Sequence, residues 1–297
     1  MMKIQSGILL EHSKAAIFIE AKINDYAKVA TACKEIHTSL THLQHQHPDA
    51  KLGLVIAFGH SAWRHYSSTT ASELKTFQPL GKGDFVAPAT QRDLLIHIIS
   101  LHPDVNFSLA LEVMRLFNTS ISIDEETHGF RWIEERDFTG FVDGTENPQG
   151  EDRPQVATIN QGIDAGGSYV LTQRWVHHLA QWHTMSQTEQ EQVIGRTKPD
   201  SVELDDVPEN SHVGRVDLKE NGQGLKILRQ SLPYGKASGE HGLYFIAYCA
   251  RLHNIEQQLL SMYGYLDGKT DRLLEFTQAV SGSYYFAPPL DMLLNLS

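Results

Sequence analysis

Ala15-Ala16-Ile17-Phe18-Ile19-Glu20 opens a series of elements that the chain later repeats. A short apolar run rich in β-branched and aromatic residues reads as a buried strand. Beyond it, Asn24 or Asp25 can cap a helix on which Tyr26, Val29, Ala30, Cys33, Ile36 and Leu40 recur at helical spacing. Leu52–Phe58 and Leu94–Ile99 read as further strands. Pro103-Asp104 then starts a helix predicted to carry Phe107, Ala110, Leu111, Met114 and Phe117 on one face.

The series restarts at Ser168–Thr172, read as a strand, with Trp175, Leu179 and Trp182 at helical spacing behind it. Ser186 and Glu189 have the spacing of a capping box for a helix that stops at Gly195. Leu225–Ser231 and Leu243–Ala250 read as strands, and Ile255, Leu259 and Met262 as a helix face. The two series begin at residues 15 and 168, and their later strands at 94 and 243. This order predicts an α+β chain of two tandem ferredoxin-like domains, each an antiparallel sheet with peripheral helices. The domains are expected at residues 1–122 and 123–297, with the boundary between Asn118 and Asp124.

With 297 residues, 41% apolar and 21% charged, the composition is that of a globular protein with a sizeable core. No run of eighteen apolar residues predicts a membrane span. The Met1–Lys14 segment is too acidic, and its apolar patch Gly7–Leu10 too short, for a secretory leader, so a cytoplasmic location is expected. Cys33 and Cys249 form neither a disulfide framework nor a thiolate metal site. A net charge of −11 disfavours nucleic acid and anionic membranes as partners, and sixteen histidines leave haem or metal chemistry open.

The stretch Gly140-Phe141-Val142-Asp143-Gly144-Thr145-Glu146-Asn147-Pro148 is a poor helix and a poor strand. It reads either as an Asp-Gly turn or as a tight loop that presents Asp143 to a ligand. From residue types alone, a metal held by Asp143 and Glu146 is a further option. Arg229 shares a predicted strand face with Leu225 and Ile227, where it needs either a structural ion-pair partner or an anion to stabilise. His212, in Ser211-His212-Val213, is either a hydrogen-bonded loop residue or a ligand.

Taken together, the Gly140–Pro148 loop, His212 and Arg229 resemble the dye-decolourising peroxidases, in the short bacterial form often called type B. Matching segments continue through Gly167-Ser168-Tyr169-Val170, Ile194-Gly195-Arg196-Thr197, Gly242–Tyr248 and Ser281–Pro288. The resemblance implies one haem b per chain, held in the C-terminal domain with His212 as axial ligand of the iron. Asp143 and Arg229 would lie on the other haem face, Asp143 as acid–base catalyst and Arg229 as stabiliser of anionic oxygen, with Ser231 beside them. Gly144, Thr145, Glu146 and Asn147 would shape the loop or line the haem edge, and Arg196 would meet a propionate. The second nitrogen of His212 would pair with Asp271 or Glu275.

Hydrogen peroxide would raise the haem to an oxoferryl state that oxidises dyes, phenols or other one-electron donors, large ones by way of Tyr234 or Trp132. The alternative implied by the same pocket is a haem-handling protein that releases iron. Relatives also imply a homo-oligomer, a dimer or larger. The long tail that sends some of them into encapsulin shells is not expected after Pro289.

Overall fold

The computed structural model describes residues 4–297; Met1, Met2 and Lys3, where the segment read for a leader begins, lie outside the described residues. The first half runs β1 (Ala15–Ile23), α1 (Tyr26–Gln46), β2 (Gly53–Phe58), α2 (His60–Tyr66), a hairpin of β3 (Leu80–Lys82) and β4 (Phe85–Ala87), β5 (Leu94–Ser100), α3 (Pro103–Phe117) and β6 (Ile121–Phe130). The second half runs α4 (Asp152–Ala157), β7 (Ser168–His177), α5 (Leu179–Trp182), α6 (Gln187–Ile194), α7 (His212–Val216) and a hairpin of β8 (Lys219–Glu220) and β9 (Gln223–Gly224). It ends with β10 (Leu228–Arg229), β11 (Leu232–Gly235), β12 (His241–Cys249), α8 (Leu252–Met262), β13 (Thr277–Ala279), β14 (Ser283–Ala287) and α9 (Leu290–Leu293).

Strand β1 shows how the layers form. It pairs antiparallel with β5 on one edge and β6 on the other, so successive side chains enter different cores. Ile17, Ile19 and Ala21 pack under the helices with Val29, Cys33 and Ile36 of α1. Ala16 and Phe18 point the other way, towards Val55, Tyr244 and Tyr285. The strand order is β6-β1-β5-β2 in the first half and β14-β7-β12-β11 in the second, all antiparallel. The halves are not separate sheets. Phe286 pairs with Phe58 at one seam and Tyr234 with Gly129 at the other, which closes the strands into a barrel. Helices cover its outside, and the second core fills its inside.

The barrel interior also holds polar groups. Tyr244 donates to Glu20 Oε1 at 2.6 Å, Tyr285 to Glu20 Oε2 at 2.5 Å and Thr172 to Oε1 at 3.3 Å. His97 Nδ1 lies 2.8 Å from the Tyr248 hydroxyl. The Gly7–Leu10 patch stoppers one end: Ile8 is fully buried, and Gln5 exchanges two hydrogen bonds with the Ile56 backbone.

Caps act where expected. Asp25 accepts from Lys28 N, and Ser186 and Glu189 form a capping box ended by left-handed Gly195. Two expectations fail and a third holds in part. Trp175 lies in β7, not on a helix, because that strand is paired on both edges up to His177. Leu225–Ser231 is not one strand: pairing with β12 breaks between β10 and β11 at Gln230 and Ser231. Helix α3 meets its expected face only in part: Ala110 and Phe117 are buried and Met114 packs on the core, but Val105, Leu109 and Val113 complete the buried face while Phe107 and Leu111 are 50% and 57% exposed. Asn106, donating to Ala15 O at 2.9 Å, fixes that orientation. The expected boundary at 122/123 cuts β6, which pairs with β1 along its length and so goes with the first half.

Gly129 marks the tighter constraint at a seam. A Cβ there would stand 2.8 Å from Leu232 Cβ and 3.0 Å from Phe18 Cε2. Gly129→Val is expected to destabilise by about 2 kcal/mol, lowering Tm by roughly 4 °C in a thermal melt. An unchanged Tm would mean that the seam is slack.

Candidate active site

The outward faces of β7 and β12, with α8 across from them, bound a cavity of about 440 Å3. Its lining is largely apolar, including Leu171, Ile194, Phe245, Ile255 and Leu259. Among its polar members is Gln173, whose Nε2 is buried without a hydrogen-bond partner among the described residues. An orphaned buried donor on an otherwise greasy wall is a place for a bound group to complete.

His212 reaches this cavity from the first turn of α7. Ser211 caps that turn, its Oγ accepting from Gly214 N at 3.2 Å. His212 Nδ1 lies 2.8 Å from Asp271 Oδ2, and Asp271 is 1% exposed. Asp271 is itself fixed, because its other oxygen accepts from Leu273 N at the start of a short 3-10 turn, Arg272–Glu275. Glu275 is exposed and makes no such contact, so of the two expected partners only Asp271 meets the imidazole. A histidine held this way keeps one tautomer and orientation, leaving Nε2 with no protein partner among the described residues.

Asp143 and Arg229 come together from the loop and from β10, with Arg229 Nη1 3.4 Å from Asp143 Oδ1. Both are partly exposed, and both line the large cavity as well as a smaller polar one of about 100 Å3. They therefore stand between the two. Asn147 joins their elements: its Nδ2 donates to Arg229 O and its Oδ1 accepts from Arg229 N, each at 2.9 Å. Gly144 makes the bend, with φ 89° and room for a Cβ only 3.3 Å from Asn147 Nδ2.

The remaining expected residues divide. Thr145 Oγ1 lies 2.9 Å from Ser201 Oγ. Arg196, buried on the large cavity's wall, donates to Glu146 Oε1 at 2.5 Å, Glu203 Oε2 at 3.2 Å and Ser201 O at 2.7 Å. Its charge is matched by two carboxylates of the chain, which leaves it less suited to a propionate than expected. Ser231 is absent from the large cavity's lining; it faces the small one, and its Oγ accepts from Ile246 N at 3.2 Å where the strand breaks. Trp132 lines the small cavity. Tyr234 is buried, donating to Trp175 O and accepting from Arg174. No group of three or more His, Cys, Asp or Glu among the described residues gathers into a metal site, and Glu146 turns to Arg196 and Lys226.

One pair was missed. His177 Nε2 lies 3.0 Å from Asp137 Oδ1 and its Nδ1 2.7 Å from Thr277 Oγ1, all lining the same cavity. The alternation Gln173, Trp175, His177 along a strand would have shown it. Burial opposes ionisation of Asp137, but the charge and hydrogen bond of His177, with the bonds from Thr139, outweigh it and hold the carboxyl at about 2.

Comparisons with known proteins show the family. Residues 5–131 match the family Dyp-type peroxidase, N-terminal, and residues 134–292 match Dyp-type peroxidase, C-terminal. A dye-decolorizing peroxidase of Mycobacterium tuberculosis is 40% identical over 296 residues, covering 96% of this chain and 88% of the relative. Among solved structures, a dye-decolorizing protein from V. cholerae superposes with TM-score 0.96 at 48% identity, covering 99% of both chains. A DypB variant from Rhodococcus jostii RHA1 in complex with heme does so with TM-score 0.94 at 33% identity, covering 100% of both. These likenesses define a peroxidase. The chain belongs to the Dyp-type peroxidase family.

The low value for Asp137 fixes a sign. Its contribution to stability is present above its ordinary value of 3.8 and is lost as pH falls through about 2. Asp137→Asn is expected to cost about 2 kcal/mol near neutrality, with the gap to wild type closing below pH ~4 in melts run across pH. A constant gap would remove the charge from the account.

Proposed function

We propose that the chain is a haem b peroxidase of the type B branch, acting in the cytoplasm on hydrogen peroxide and a one-electron donor. The observation that carries this is a single cavity lined by a histidine held by a buried carboxylate and by an Asp–Arg pair. Its breadth, apolar walls and the unpartnered Gln173 amide suit a flat, largely apolar group. His212 would hold the iron through Nε2, and Asp271, accepting from Nδ1–H, would keep the ring oriented and electron-rich. Haem bound there supplies the redox centre at which peroxide is reduced.

The chain's own residues then manage protons and charge. Asp143 as carboxylate takes the proton from one peroxide oxygen and returns it to the other, so that water is the leaving group. The Arg229 guanidinium, 3.4 Å from Asp143, stabilises negative charge on oxygen as the O–O bond breaks. Asn147 and Gly144 position both groups. Ser231 borders the small polar cavity, a path of suitable size and polarity for peroxide. Arg196 and Glu146 shape the cavity wall.

The finer fold reading belongs here too. Each half has the strand order of a ferredoxin-like unit, supporting two such units fused through the barrel seams, with the division close to β6. A homo-oligomer is favoured by Phe107 and Leu111, large apolar side chains left half or more exposed on α3. No helix among the described residues is long and apolar enough to cross a membrane.

Asp143→Asn is expected to slow the reaction with peroxide ~10²–10⁴-fold, and Arg229→Leu ~10²–10³-fold, both read by stopped flow with the haem Soret band retained. Wild-type rates in both variants would sink the acid–base assignment, whereas no rapid reaction of the wild-type protein with peroxide would favour a haem-handling role.

A further inference from the structure

A second cleft, of about 590 Å3, lies beside the β3–β4 hairpin, between it, the turn Arg272–Glu275 and β13. It shares a wall with the large cavity, because Trp175, Leu274 and Thr277 line both. Trp175 is buried, at 6% exposed, and is the largest side chain common to both linings. Phe85 and Tyr263 add aromatic surface to the cleft. Its carboxylates are Asp84 and Glu275, both exposed and neither in an ion pair among the described residues; His178 also lines the cleft, and no Lys or Arg does. An aromatic floor under unpaired carboxylates is complementary to an aromatic cation.

We infer that this cleft docks the electron donor, a single-ring phenol or aromatic amine carrying positive charge, and that Trp175 relays its electron to the large cavity. The inference rests on the peroxidase reading above. Two docked phenols in turn each lose one electron through Trp175 and one proton to water, giving two phenoxyl radicals. The two electrons, with two protons, reduce one hydrogen peroxide to two waters. Trp175 is oxidised transiently and restored by the donor beside it. Tryptophan suits this role because its large indole both stacks on a cation and contacts both spaces.

The test uses the haem-loaded enzyme and a matched pair of phenols, 4-hydroxyphenyl-trimethylammonium and 4-hydroxybenzenesulfonate. Reaction with peroxide alone is measured first, and its absence would overturn the peroxidase reading and the inference together. With that step intact, KM is expected to be about tenfold lower for the cation than for the anion. The Asp84→Asn, Glu275→Gln double variant should erase the difference. Calorimetry with the redox-inert trimethylphenylammonium ion, without peroxide, should show binding weakened about fivefold in that double variant. Trp175→Phe should lower kcat for the cation by a larger factor than it weakens trimethylphenylammonium binding, and remove an indolyl radical signal from freeze-quenched samples. Equal KM values for the two phenols, or binding indifferent to the double variant, would overturn the docking site. Undiminished kcat in Trp175→Phe would overturn the relay; if that variant fails to fold, the charge-pair measurements still decide the docking site.

Discussion

Glu20 is a carboxylate without access to water. Burial pushes its pKa up, and hydrogen bonds from the hydroxyls of Tyr244, Tyr285 and Thr172 offset that burial. Glu20 sits on β1, in the first half, whereas all three hydroxyls come from β12, β14 and β7 of the second. Each barrel seam is a single residue pair, too little to set a register by backbone bonding. A slipped register would strand a charged or polar group in the core, at a cost of several kcal/mol. His97 with Tyr248 adds a second cross-half contact of the same kind. The polar interior thus discriminates between dockings that the seams alone would tolerate.

That constraint reaches the active site through the pleat. On β7, Thr172 faces Glu20 while Leu171, Gln173, Trp175 and His177 face the cavity. On β12, Tyr244 faces inwards while Leu243 and Phe245 line the cavity. Because successive side chains point to opposite faces, fixing the inner residues fixes the outer ones. The small polar cavity depends on the same docking, for it is built from Glu11, Arg131 and Trp132 of the first half and Asp143, Arg229 and Ser231 of the second. The Asp–Arg pair stands where the halves meet.

Much of this was legible in the sequence, for identifiable reasons. The strands from Ala15, Leu52 and Leu94 and the caps at Asp25 and Ser186 are local signals, and the chain obeys them. Barrel closure left no local trace, because one residue pair per seam imposes no periodicity. Trp175 was misplaced because its spacing to Leu179 and Trp182 is helical by coincidence, whereas two flanking strands decide its backbone. The loop, His212 and Arg229 stood out by residue type. The choice of Asp271 over Glu275 did not, since i,i+4 spacing presumes an α-helix and the segment is a 3-10 turn with Asp271 as its cap. His177 and Asp137 were passed over because a histidine near a tryptophan signals nothing until its strand face is known.

The clamp between Asn147 and Arg229 engages only the main chain of Arg229. The amide therefore reads the path of β10 and is indifferent to which side chain leaves it. Loop and strand stay in step whatever residue occupies that position, so the guanidinium is a removable fitting on a frame that stands without it. Chemistry at this wall can be exchanged by lineage or by hand without renegotiating the architecture that presents it.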